Sequence, residues 1–123
     1  MLNEGFMDGN VSVDKSFEFA VRIVNLYKYL IREHKEYVLS KQLLRCGTSI
    51  GANISEAQRG QSKADFLAKM SIALKESNET QYWLRLLYRT EYLTKDQYDS
   101  IRKDIDELNS ILTAICKTSL SGK

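Results

Sequence analysis

Proline is absent from all 123 residues. Proline removes an amide donor and clashes with the preceding helical turn, so a chain without it leans helical. Cysteine is scarce: Cys46 and Cys116 stand alone, with no Cys-x-x-Cys pair. That pattern fits reduced structural thiols in a cytoplasmic protein. Histidine occurs once, as His34. A single histidine with nothing motif-like beside it supports neither a Ser/His/Asp nor a Cys/His arrangement, and no enzymatic activity is expected. Long apolar runs are missing too, so no membrane span is expected, and the polar, glycine-containing start Met1–Asn10 does not read as a signal peptide. Nor is there a strong charge of either sign, because the net charge is +2.

Hydrophobic residues make up 43% of the chain and charged residues 28%, which suits one globular domain. Residues 1–13 read as a flexible N-terminal tail, 14–119 as a four-helix domain and 120–123 as a C-terminal tail. Asp14 or Ser16 can cap a first helix that runs to about His34. Its apolar positions, at about 100° per residue, cover more than half of the circumference, so the helix has two faces to bury. Ser40 can cap a second helix, Lys41 to Arg59, with Leu43, Gly47, Ile50, Ile54 and Ala57 on one face. Gly47 and Gly51 each weaken this helix by about 1 kcal/mol relative to alanine, and their spacing allows another backbone close. Ser62 with Asp65 can cap a third helix that runs to Tyr92 or Leu93. Thr94 and Gln97 form a capping box for a fourth, whose apolar residues fill one stripe. The fold expected is all-α: an antiparallel up-down-up-down four-helix bundle with short links.

The second helix also carries Arg45, Ser49, Asn53 and Glu56, spaced four, four and three apart on one strip. An antiparallel third helix would set Arg45 opposite Glu76 or Glu79 and Glu56 opposite Lys69. With Lys75, these residues form the expected semi-buried polar network, whose role is to fix register and partner choice. Glu56, Glu76 and Glu79 lack the histidines of a di-iron bundle, so neither a metal nor any other cofactor is expected. The wide apolar faces of helices 1 and 3 place Phe19, Ile23, Leu26, Leu30, Ile72, Trp83 and Leu86 at an oligomer interface.

Charge is unevenly placed. Arg22 to Glu91 holds twelve basic and seven acidic residues, whereas Lys95 to Glu107 holds three and five. Arg22, Lys28, Arg32, Arg59 and Lys63 are the candidate contacts to RNA or DNA phosphates. No small-molecule substrate is expected.

The stretches Arg45–Ala57 and Ile72–Leu84 resemble the signature of the 23S rRNA-intervening sequence protein family. Arg, Ser, Asn and Glu on helix 2, and Glu with Trp-Leu on helix 3, stand where that family has them. The resemblance spans roughly Phe17 to Thr118. It implies a four-helix bundle assembled as a ring-like homopentamer, without enzymatic activity. The family is in turn similar in fold to the accessory protein of diversity-generating retroelements, a basic pentamer that binds nucleic acid and a reverse transcriptase. The expectation is therefore an oligomeric binding protein for nucleic acid or a nucleic-acid enzyme. The alternative is a structural or protein–protein interaction module with no nucleic-acid role.

Overall fold

The structure, a computed structural model, describes the backbone of residues 4–121 and the side chains of residues 11–118. Four helices account for it: α1 (Glu4–His34), α2 (Leu39–Ala57), α3 (Lys63–Arg89) and α4 (Lys95–Ser121). No strand occurs among the described residues. Each helix packs on the next, and α1 also packs on α4. Cross-helix partners step in opposite directions along the chain. Ile23 meets Gly47 while Ser16 meets Gly51. Arg45 meets Glu79 while Lys69 meets Glu56. Gln81 meets Asp106 while Ser71 meets Cys116.

The core is one apolar column. Phe19, Ile23 and Leu30 of α1 meet Leu43, Ile50 and Ile54 of α2, with Met70, Leu84 and Leu87 of α3 and Ile101, Ile105, Leu108 and Leu112 of α4. Close approach of α1 and α2 is built in by the two glycines. A Cβ on Gly47 would lie 2.9 Å from two Ile23 carbons, and one on Gly51 would lie 3.2 Å from the Ser16 carbonyl oxygen.

α1 starts at Glu4, ten residues before the expected cap, so most of the segment expected as a flexible tail is helical. Met1–Asn3 lie outside the described residues. Ser16 does not cap; its hydroxyl donates to the Val13 carbonyl within the helix. Ser12 and Ser16 are fully buried and continue the seven-residue spacing of Phe19, Ile23, Leu26 and Leu30. Small polar residues hold these core positions, Ser16 against Gly51 of α2, and for that reason the apolar pattern makes the helix read as starting late. α4 likewise continues through Leu120 to Ser121, into the expected C-terminal tail; Gly122 and Lys123 lie outside the described residues.

The links use chemistry that the residue pattern hides. Thr94 and Gln97 make the expected box: the Thr94 amide donates to Gln97 Oε1 at 2.8 Å and the Gln97 amide to Thr94 Oγ1 at 3.1 Å. Ser62 accepts from the Asp65 amide as expected. Ser40, however, does not cap α2; its hydroxyl donates to the Glu36 carbonyl at 2.7 Å. The cap is the Glu36 carboxylate, which accepts from the amides of Val38, Leu39 and Ser40 at 3.2, 3.0 and 2.7 Å. α3 stops at Arg89 because Glu91 turns left-handed (φ 70°) and the Tyr92 amide reaches back to the Leu87 carbonyl at 2.9 Å. That turn folds Leu93 into the core.

Gly47→Ala should lower the melting temperature, because overpacking of about 1–3 kcal/mol exceeds the helix-propensity gain of about 1 kcal/mol. Adding Ile23→Val should recover part of the loss in circular-dichroism melts, and strictly additive effects would contradict the contact. Burial pushes the Glu36 carboxyl up, but the three amides outweigh it and hold its pKa below the ordinary value of 4.5. A depressed folded pKa stabilises above the unfolded value and loses that stabilisation as pH falls through the folded value. Glu36→Gln should therefore cost stability at pH 7, by about 1–2 kcal/mol. It should also flatten the loss of stability below pH 4.5, which melts across pH 3–7 would show.

Candidate functional site

The expected polar strip is found on the outer seam of α2 and α3. Arg45 reaches across to both Glu79 and Glu76, the latter at 3.6 Å. Glu79 is the pivot, because the same Oε2 atom that takes Arg45 also accepts the Trp83 indole N–H at 3.0 Å. Three turns along α2 lies a second tie, Lys69 to Glu56 at 2.9 Å. Both expected pairings across the seam are present.

The strip is half-buried, as expected: the Arg45 side chain is 51% exposed, but its partners Glu76 and Glu79 are only 17% and 32% exposed. The Glu56 end is more open, at 61%. Ser49 and Asn53 do not cross the seam. Ser49 Oγ donates to the Arg45 carbonyl at 2.7 Å and Asn53 Nδ2 to the Ser49 carbonyl at 2.9 Å, both within α2. Lys75 is exposed and forms no ion pair among the described residues. Glu56 sits with Lys69, away from Glu76 and Glu79, and no group of three His, Cys, Asp or Glu side chains suited to a metal ion occurs among the described residues. The strip can hold register and present charge; it brings no nucleophile beside a base. Cys46, fully buried behind it, is held protonated, because burial raises its thiol pKa to about 11.

Three of the residues expected at an oligomer interface belong to the core instead. Phe19, Ile23 and Leu30 are fully buried in the chain's own core, and Leu26 packs against that core. The second face of α1 lies on the other side of the helix: Phe17 is 65% exposed and Val21 is 41% exposed, with Val24 half-buried one turn on. Ser12 and Ser16, serving as core residues, hid which stripe faced inward. On α3, Ile72 (42%) is exposed as expected, while Trp83 and Leu86 are half-buried and Tyr82 (59%) is the more open ring.

The five basic candidates do not form one patch. Arg22 is committed to α4: it donates to Asp104 Oδ2 at 2.6 Å and to the Ser100 hydroxyl at 3.0 Å. Arg32 pairs loosely with Glu33 at 3.4 Å. Lys28, Arg59 and Lys63 are exposed, with no ion pair among the described residues. Arg59 and Lys63 flank the α2–α3 turn, whereas Lys28 and Arg32 lie near the opposite end, separated by most of the length of α2, roughly 28 Å.

At that opposite end three chain segments bring a cluster of rings together. Tyr29, His34, Tyr88 and Tyr92 line a hollow of about 510 Å³ together with Arg89. His34 stands edge-to-face with Tyr29 and Tyr92, centroids 5.4 and 5.5 Å apart, and its Nε2 lies 3.3 Å from the Tyr29 hydroxyl. Tyr88 stacks on Tyr98 at 4.5 Å. No single helix shows this cluster, because its rings come from the ends of α1 and α3 and from the link to α4.

The exposure of the Arg45 side chain limits what its loss can cost. Arg45→Ala should cost about 1 kcal/mol or less, as exposed pairs do. Glu79→Ala should cost more, since it also strips the acceptor from the Trp83 indole. Melts of both single variants and the double variant should give a coupling of roughly 0.2–1 kcal/mol, and zero coupling would show that the contact contributes nothing to stability.

Comparison with known proteins agrees with this architecture. No curated protein matches the chain. A crystal structure of a protein of unknown function from the S23 ribosomal protein family of Bacteroides thetaiotaomicron is 64% identical. The match covers 90% of this chain and 99% of that one, with a TM-score of 0.88. The profile of the 23S rRNA-intervening sequence proteins matches residues 10–114, which takes in all of α2 and α3 and most of α1 and α4. This chain belongs to the 23S rRNA-intervening sequence protein family.

Proposed function

We propose that this chain is a non-enzymatic binding protein, an antiparallel up-down-up-down bundle that self-associates and presents the assembled surface to nucleic acid or to a nucleic-acid enzyme. The observation that carries self-association is the outward stripe of α1. Phe17, Val21 and Val24 follow one another at helical spacing on the side away from Phe19 and Ile23. Water contact at such a stripe is unfavourable by about 25 cal/mol per Å² of apolar surface, and a second copy relieves it. Ile72 and Tyr82 supply a separate apolar surface on α3. Two unlike patches favour head-to-tail contacts, which close into rings, and the family resemblance implies a ring of five.

A ring also bears on charge. Arg59 and Lys63 amount to little on one chain, but repeated around an assembly they make a multivalent cationic edge. The rival reading is a structural or protein–protein interaction module with no nucleic-acid role. It is favoured by the commitment of Arg22 to Asp104 and by the separation of the remaining cations.

Light scattering at micromolar concentration should show an oligomer, and the pair Phe17→Glu and Val21→Glu should dissociate it without unfolding the helices. A monomeric wild-type chain would overturn self-association. Anisotropy with generic RNA and duplex DNA, from about 50 to 200 mM salt, should show affinity that falls steeply with salt and weakens in Arg59→Glu/Lys63→Glu. Absence of binding at the lowest salt would promote the interaction module.

A further inference from the structure

We infer that the tyrosine-lined hollow at the end of the bundle opposite the α2–α3 turn is a binding site for an unpaired nucleotide, the base received among the rings and the adjoining phosphate held by Arg89. This rests on the nucleic-acid reading above and gives it a location that the cationic candidates do not.

Three independent features of the hollow point to that ligand. The first is the wall. Tyr29, Tyr88 and Tyr92 are half-buried and line one open surface hollow of about 510 Å³, against which a base and its sugar can lie. Aromatic rings accept any base, since every base has a π-face. The second is unused hydrogen-bonding capacity. The hydroxyls of Tyr88 and Tyr92 make no hydrogen bond among the described residues, whereas Tyr29 is engaged with His34. A phenol both donates and accepts, so the two free hydroxyls suit the mixed edge of a base. The third is the rim. Arg89 is exposed and forms no ion pair among the described residues, and a guanidinium fork matches phosphate oxygens. Glu91 lies on the same rim and opposes the phosphate, so the affinity of one hollow is low and repetition in an assembly is what makes it count.

The backbone turns sharply on both sides of the hollow. The residues that follow α1 and α3 there, Lys35 (φ 53°) and Glu91 (φ 70°), both adopt the left-handed conformation. The turn at Glu91 brings Tyr92 back beside the end of α1, where it stands edge-to-face with His34, the last residue of that helix. A duplex cannot reach the rings, because its bases are stacked and paired. The site therefore selects single strands.

The test uses the full-length protein and a fluorescent single-stranded 12-mer carrying one 2-aminopurine, with the matching duplex as control. Wild type at about 50 mM salt should bind the single strand more tightly than the duplex and quench the 2-aminopurine. His34→Ala and Arg89→Gln alter exposed side chains and leave the core untouched. Each should weaken single-strand binding by about threefold to tenfold and leave duplex binding unchanged. Tyr92→Leu should weaken it by about tenfold or more and abolish the quenching. Circular-dichroism melts verify that each variant is folded. Wild-type affinity in the His34 and Arg89 variants would overturn the hollow while leaving nucleic-acid binding at Arg59 and Lys63 intact. Equal wild-type binding of strand and duplex without quenching would do the same. Binding of neither by wild type would overturn both readings.

Discussion

Where α1 crosses α2, two hydrogens stand where side chains would be. Gly47 and Gly51 leave Ile23 and the Ser16 backbone in direct contact with the α2 backbone. The core column depends on this approach, since Phe19, Ile23 and Leu30 can meet Leu43, Ile50 and Ile54 only at that depth. The same constraint explains the serine in the core at position 16: its backbone and hydroxyl lie against Gly51, where a larger side chain would crowd α2. It also fixes the rotation of α1, which turns Phe17 and Val21 outward. An exposed apolar stripe is thus a consequence of how the two helices nest, and the surface available to a partner follows from a packing decision made inside.

Much of this was legible in the sequence. Four helices, the Thr94–Gln97 box, the Ser62 cap and the α2–α3 pairings all follow from strong local signals, because a cap or an i, i+4 strip depends on residues within a few positions of one another. What stayed hidden needed three-dimensional context. Ser12 and Ser16 broke the apolar rhythm at the place where small residues are required, so the start of α1 and its inward stripe were misplaced together. Glu36 caps α2 from two residues before Val38, through a carboxylate instead of the hydroxyl that the pattern favours. The Glu91 turn uses a residue with a Cβ where glycine would have announced the helix end.

The candidate site divides in the same way. Arg45, Glu76 and Glu79 were visible as a strip because they belong to helical repeats. The ring cluster of Tyr29, His34, Tyr88 and Tyr92 was not, since three chain segments meet only after the links have turned. Exposure also separated pairs that look alike in sequence: Arg22 and Arg59 are both candidate phosphate contacts by spacing, yet one is tied to α4 by Asp104 and Ser100 and the other is open.

The placement of the cysteines gives the molecule a built-in clock. Cys46 has no exposed surface and keeps its proton well above neutral pH, while Cys116 is 8% exposed near the end of α4. A thiol reagent can reach Cys46 only when helices part, so the rate of its modification counts openings of the bundle interior. Cys116, nearer the surface, reports the fraying of α4 on a shorter interval. The two rates, read on one unlabelled chain, time the separate breathing of the bundle's middle and of its tip.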